Sequence, residues 1–348
     1  MEKVYEVAGI SRQGHHASLK RIASKAGTID SILSQVRKTR LSHPNMGSRP
    51  LYKKLNIEGI GINKFEKLLK AEGLGIERKR NKHKTTDGSK YKGNDANLLN
   101  GKEVNSVNQV WVTDITYFQV NNETFYIIII MDVYSRIILG CSVFKNMPKE
   151  NNIAVLKQAL KVRKQSSYNH TLIHHSDKGS QYTSIGYKEI LLKYKIKMSL
   201  AKNSLENGYA ERINSTIKND YLVFHATEDL KQLRKNLKHC VWLYNHERPH
   251  SSLNYLTPVQ FEQWLSTQEN GIGETMTLYD FTQENNYTVE FFEGIGQPKN
   301  QSASPNEKGS EEPDFLTVQD YSLKGCSPAE PFSASSCGAK VIRIKNNQ

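Results

Sequence analysis

Three carboxylates sit where phosphoryl-transfer chemistry would want them. Asp177 ends a short apolar run in Thr171–Tyr182, TLIHHSDKGSQY, and Asp114 lies in Gln109–Tyr117, QVWVTDITY, among the β-branched and aromatic residues that a pleated sheet favours. Glu211 lies in Asn207–Tyr221, NGYAERINSTIKNDY, where Ala210, Ile213 and Ile217 recur at helical spacing. Two strand-borne aspartates and one helix-borne glutamate, far apart in the chain, can converge to hold two divalent cations. The expected ion is Mg²⁺ (or Mn²⁺), a hard cation that prefers oxygen and is ordinarily held by one or two carboxylates plus substrate phosphate. One ion would lower the pKa of an attacking water or 3′-hydroxyl, and the other would stabilise the leaving oxygen. Lys218 follows Glu211 by seven residues, nearly two helical turns, so a regular helix would present both from one face, with the lysine within reach of a DNA phosphate.

Singly, each acid has a plainer explanation, since an aspartate at a strand end is more often a turn or cap residue and a helical glutamate is usually solvated. Asp132 in MDVYSR is expected to be structural, pairing with Arg136. His174-His175 beside Asp177 could suggest zinc, but no Cys or His stands at zinc-finger spacing. The P-loop and nucleophile-elbow patterns are absent.

The elements around these residues imply a definite architecture. Gln109–Tyr117, Thr124–Val133 and Ile137–Phe144 read as three hairpin strands, followed by a helix at Lys149–Lys164 and a strand at Thr171–His175. A helix at Ser184–Tyr194, a short strand around Met198–Leu200 and the Glu211 helix complete the series. Strand–strand–strand followed by alternating helix and strand is the order of an α/β, RNase H-like mixed sheet, in which the first and fourth strands lie side by side and bring Asp114 to Asp177. Thr227–Asn245 is an amphipathic helix with Thr227 as its expected cap, and Thr257-Pro258 opens a last one. At the other end, residues 1–26 suggest two short helices, a helix-turn-helix-like arrangement with Ser11 as an N-cap and Arg12, Lys20 and Arg21 available to phosphates. Thr28–Arg40 and Asn63–Glu72 are further helices.

The expected divisions are a helical, DNA-binding region over 1–76, a basic linker over 77–106, a catalytic core over 107–226, its C-terminal helices over 227–265, and an acidic tail over 266–348, expected to be disordered and dispensable for folding unless Met276–Phe281 or Tyr287–Phe292 packs on the core as an added strand. The net charge of +13 is uneven: the tail carries −6, so residues 1–265 carry +19, the electrostatic footprint of a polyanion binder. Four scattered cysteines without a CxxC pair suit a reducing, cytoplasmic setting. The longest strongly apolar run, Tyr126–Val133, is too short to span a bilayer, so no membrane partner is expected.

The stretches GISRQGHH, VWVTDITYF, MDVYSR, IHHSDKGSQY, LENGYAERINSTIK and YNHERPHSSLNYLTP, in this order over residues 1–265, resemble the DDE transposases of bacterial insertion sequences. The likeness is to the OrfB-type product, whose core is similar to retroviral integrase. That resemblance implies an RNase H-like fold and metal-dependent DNA cleavage and strand transfer, with Asp114, Asp177 and Glu211 as the triad and Lys218 as the basic residue completing the pattern. Lys178 and Arg212, which adjoin the triad, join Lys218 as expected DNA contacts. Only 33 residues separate Asp177 from Glu211, fewer than the family's usual interval, with the shortfall expected in Lys197–Glu206. It further implies element ends and target DNA as partners, a homo-oligomer, an upstream-frame OrfA partner or fusion, and a bacterial cytoplasmic, nucleoid-associated location. A structure-specific nuclease on the same fold, or a non-catalytic DNA-binding regulator from a decayed element, are the competing readings.

Overall fold

The computed structural model describes residues 11–76 and 96–279, together with Tyr5, Val7 and Gly9. Most of the basic linker, residues 77–95, and the tail from 280 onward lie outside the described residues. So does most of the first short helix expected near the N-terminus.

Five strands form one mixed sheet: β2 (Val110–Val120), β3 (Glu123–Asp132), β4 (Ile138–Phe144), β5 (Ile173–Ser176) and β6 (Lys197–Leu200), in the order β4-β3-β2-β5-β6. β2, β3 and β4 are an antiparallel meander, while β5 pairs parallel to β2 and β6 parallel to β5. Asn121 and Asn122, both at positive φ, close the β2–β3 hairpin in two residues, the primed turn that matches strand twist. Helices cover both faces: α4 (Lys149–Arg163) and α5 (Ile185–Lys193) on one side, α6 (Gly208–Ser215), α7 (Leu230–Glu247) and α8 (Pro258–Ser266) on the other. This is the RNase H-like arrangement. Burial on both faces explains why β3 reads as an unbroken apolar run, with Ile127, Ile129 and Met131 facing α6 and α7, and Ile128 and Ile130 facing α4 and α5.

The period-2 alternation of β2 decides where its polar residues point. Trp111 packs on the α4–α5 side, and Thr113 reaches the buried Tyr182 there; Val110 and Val112 pack on the α6–α7 side. Asp114 and Thr116 share the parity of Val112, and both bond to residues that follow Glu211 in the chain.

The N-terminal helices differ from expectation. Arg12–Ser42 is one continuous helix, α1, capped by Ser11 as anticipated but unbroken near Gly27. The Thr28 hydroxyl donates to the Ser24 carbonyl one turn back, so it does not cap a new helix. The second of the two short helices expected at residues 1–26 therefore starts after Ser11 as anticipated but continues without a break into the expected Thr28–Arg40 helix. Its C-terminal end, with α2 (Ser48–Lys54) and α3 (Ile62–Ala71), builds a small core of Ile32, Val36, Met46, Leu51, Phe65 and Leu69. Polar contacts tie this core to the main body: His43 accepts from the Tyr221 hydroxyl (3.0 Å) and donates to Glu247 (3.0 Å), Lys54 also donates to Glu247, and Asn45 donates to the Asn219 carbonyl.

Three further local corrections follow. α7 is capped by Asp229, whose carboxylate accepts from the Gln232 N–H, and the Thr227 hydroxyl turns to the His225 carbonyl. Asp132 is fully buried but pairs with Arg163 (3.3 Å) and three backbone N–H groups, whereas Arg136 lies over the Tyr209 ring. Finally, the chain beyond Ser266 is not all disordered. Met276–Leu278 (β7) pairs antiparallel with Lys102–Val104 (β1), and Leu278 is fully buried. Three-residue strands are too short to show a period.

Candidate active site

Asp114 lies mid-strand on the face of β2 covered by α6, and Asp177 immediately follows β5, the parallel neighbour of β2. Glu211 is in the first turn of α6, exposed at the rim. Burial first, then the Asp177 carboxylate, and more weakly Glu211, push the Asp114 carboxyl up to about 7, against the lowering effect of hydrogen bonds from the Ile115 N–H and Asn214. Burial likewise raises Asp177 and Glu211. No basic side chain is among the leading influences on Asp114. Elements nearly a hundred residues apart in sequence thus bring like charges together without an internal counter-ion, at a cost in stability.

Supporting groups fix this arrangement. Asn214, three residues after Glu211 and one helical turn along the same face, donates to Asp114 Oδ2 at 3.1 Å, while its own Oδ1 is buried and unpartnered. Asn207 donates to the Thr113 carbonyl at 3.2 Å and also leaves a buried Oδ1 without a partner. The Gly179 N–H donates to Asp177 Oδ1 at 3.0 Å; a Cβ on Gly179 would stand 2.9 Å from that same oxygen, so the turn admits only glycine without displacement. His175, adjoining Asp177 by two residues, donates from Nε2 to the Glu206 carbonyl (3.0 Å) and accepts at Nδ1 from the Ser199 hydroxyl (2.8 Å). It thereby pins β5 to the 3₁₀ turn Ser204–Asn207 that leads into α6. Burial lowers His175 to about 4 and His174, bonded to Tyr187 at 2.6 Å, to about 3, so both are neutral structural residues rather than zinc ligands. Glu206, the other acid near this position, spends its carboxylate on the Lys202 N–H, closing the loop after β6.

The expected uninterrupted helix from Asn207 to Tyr221 is divided. α6 ends at Ser215 and passes into a π-helical turn, Thr216–Tyr221, a feature that recurs at functional sites. Seven residues from Glu211 is therefore not two regular turns, and Lys218 leans onto β2, donating to Thr116 Oγ1 (3.2 Å) and the Tyr117 carbonyl (3.4 Å). Burial lowers its pKa. Lys178 is half-buried beside Asp177, whereas Arg212 is exposed, and its charge is felt by Tyr244 and His250. Arg12, Lys20 and Arg21 are exposed on α1 and are not among the leading influences on the three acids.

Among the described residues no three His, Cys, Asp or Glu side chains converge tightly enough to enclose a metal ion. The donor set nevertheless fits a hard cation: carboxylate oxygens, a mutually repelling pair, and buried amide oxygens left over, with both histidines occupied elsewhere. Asn214, Asn207 and Gly179 are not marked by the sequence as site residues, and His175 is marked only as a zinc candidate. Only Asn214 carries a usable signal, its helical spacing from Glu211.

Residues 104–203 match one integrase core domain family and residues 192–258 match a second of the same description. Over 266 residues the chain is 28% identical to the insertion element IS600 uncharacterized 31 kDa protein of Shigella sonnei, covering 74% of this chain and 97% of that protein. It is 31% identical over 147 residues to the transposase for insertion sequence element IS904 of Lactococcus lactis, covering 41% of this chain and 56% of the relative. Against the transposase for IS629 of Shigella sonnei it is 31% identical over 142 residues, covering 40% and 46%. The chain thus spans about half the length of these last two curated relatives. The magnesium complex of the HTLV-2 integrase catalytic core aligns with a TM-score of 0.36 and 20% identity over 47% of this chain and 98% of that one. Among the described residues no helix is long and apolar enough to cross a membrane. Residues 104–258, the segment that carries all three acids, thus match integrase core domains, and the chain is similar to transposases of insertion elements.

Proposed function

We propose that this chain is a polynucleotidyl transferase that cleaves DNA at the ends of its element and directs the exposed 3′-hydroxyl against a target phosphodiester. The observation that carries this reading is the Asp114 carboxyl, held beside Asp177 and Glu211 with its pKa raised to about 7. Such a cluster stores repulsion that a bound divalent cation relieves. Asp114, Asp177 and Glu211 would hold Mg²⁺ or Mn²⁺, which when bound supplies activation of the attacking oxygen and stabilisation of the leaving one. Asn214 orients Asp114, and the Gly179 N–H orients Asp177. Lys218, beside Thr116 on the strand that carries Asp114, and Lys178, next to Asp177, would receive backbone phosphates, and the +19 of residues 1–265 would favour binding of a polyanion.

The test uses the full chain with duplexes carrying the element's own ends and Mg²⁺ or Mn²⁺. Asp114→Asn, Asp177→Asn and Glu211→Gln should each abolish cleavage while circular dichroism reports an intact fold. Cleavage retained by any one folded variant removes that residue from the triad. Joined product distinguishes a transposase from a nuclease, which would only nick.

A further inference from the structure

The helix that carries Glu211 begins without an ordinary cap: Asn207, at its N-cap, makes no side-chain bond to the first turn. Orphan N–H groups at a helix start need partners. One is supplied from seventy residues downstream, where the Tyr279 hydroxyl accepts from the Tyr209 N–H at 3.1 Å. The two rings meet edge to face with centroids 5.1 Å apart, and the Arg136 guanidinium covers the Tyr209 ring at 4.5 Å. Arg136 itself adopts φ 62°, a left-handed conformation that a non-glycine residue holds only when its surroundings impose it.

The approach of Tyr279 is built by residues 273–278. The Gly273 N–H donates to the Asn105 carbonyl (2.8 Å), the Tyr134 hydroxyl donates to the Glu274 carbonyl (2.9 Å), and β7 then pairs with β1. A Cβ on Gly273 would overlap the Tyr134 hydroxyl and stand 3.1 Å from Leu265 Cδ1, so the chain passes this point only as glycine. Leu278, fully buried, seats the strand against the core.

We infer that Gly273–Tyr279 is a strap whose purpose is to hold the first turn of α6, and hence Glu211, in register with Asp114, with Tyr279 as a positioning residue. The inference rests on the reading of Glu211 as part of the triad. Glu211 is the exposed member of the three and lies in the first turn of a short helix, the place where a helix frays first. Asp114, by contrast, is set by sheet pairing, and Asp177 directly follows a paired strand and accepts from the Gly179 N–H. The strap supplies for the glutamate the rigidity that β2 and β5 give the aspartates.

Two variants test this in the full chain: Tyr279→Phe, which keeps the ring and removes the acceptor, and Gly273→Ala, which dislodges the strap while leaving every contact residue unchanged. Hydrogen exchange by mass spectrometry on metal-free protein should show peptides covering 208–215 exchanging about fivefold faster in Tyr279→Phe, the opening expected from one lost hydrogen bond, while β2 and β5 are unchanged. Gly273→Ala should show at least as large an effect. Cleavage by Tyr279→Phe should need a several-fold higher Mn²⁺ concentration for half-maximal rate and recover at saturating Mn²⁺. Unchanged exchange and unchanged metal dependence in both variants would overturn the strap. So would a parallel fall in thermal stability and rate with no shift in metal dependence, since that is what a purely structural contact gives. If Asp114→Asn still cleaves, the triad reading fails, and the exchange result still reports on the strap by itself.

Discussion

Replacing Asp114 by Asn should stabilise the metal-free protein at alkaline pH, by an amount that depends on pH in a defined way. The Asp114 carboxyl is raised from 3.8 to about 7 by burial and by its acidic neighbours. Because the folded state holds this proton more tightly than the unfolded chain, the group costs nothing below pH 4, and stability is lost progressively as pH rises through the interval to about 7. A shift of that size in a group wholly shielded from water would correspond to about 4 kcal/mol at pH 8. Asp114 retains some solvent contact, so about half of this, ~2 kcal/mol, is expected. In thermal unfolding that is roughly 4–8 °C for a chain with a folded part of this size. The substituted amide also fits its neighbour: its oxygen can accept from Asn214 Nδ2, and its nitrogen can donate to the Asn214 Oδ1 that is otherwise unpartnered. Melting curves of wild type and Asp114→Asn, recorded in chelator from pH 4 to 8.5, should converge at the acid end and diverge above pH 7. Adding Mg²⁺ at pH 8 should raise the wild-type melting temperature and leave the variant unmoved. A variant less stable than wild type at pH 8, or a gap that does not change with pH, would show that the acids do not repel one another as described.

Two other outcomes can be checked with purified protein. Lys218→Ala should weaken DNA binding and reduce the slope of log affinity against log salt by about one unit, as expected for one lost phosphate contact; an unchanged slope would confine Lys218 to its bonds with Thr116 and Tyr117. Buried His43 and His175, lowered from 6.5 to about 4, and His174 and His250, lowered to about 3, are neutral in the folded state. Their unfolded counterparts take up protons first as pH falls below 6.5, so stability should drop between pH 6.5 and 4, in the opposite sense to the Asp114 effect. Urea melts over that range should show unfolding coupled to uptake of about two or more protons, and a flat profile would contradict the burial of these rings.

The order of strands and helices and the candidacy of the three acids were legible in the sequence, because each rests on local pattern. Parity along β2 even settles which face Asp114 shares with Thr116. What local pattern cannot carry is any contact whose partner lies far along the chain. That Asp132 belongs to Arg163 rather than the nearby Arg136 was decided by α4 packing against the sheet, since a fully buried carboxylate takes the cation that arrives with it into the core. Thr28 could have capped a new helix, but continuing α1 across Gly27 satisfied its hydroxyl and every backbone group at once. The π-helical turn after α6 has no composition of its own; it is where the helix adjusts so that Lys218 meets β2 and Tyr221 meets His43. Residues 273–279 illustrate the limit most clearly. Their acidic, glycine-bearing surroundings read as disorder, and only the fold, by presenting the open edge of β1, a seat for Leu278 and an uncapped helix start at Tyr209, makes three residues of strand and one tyrosine worth ordering.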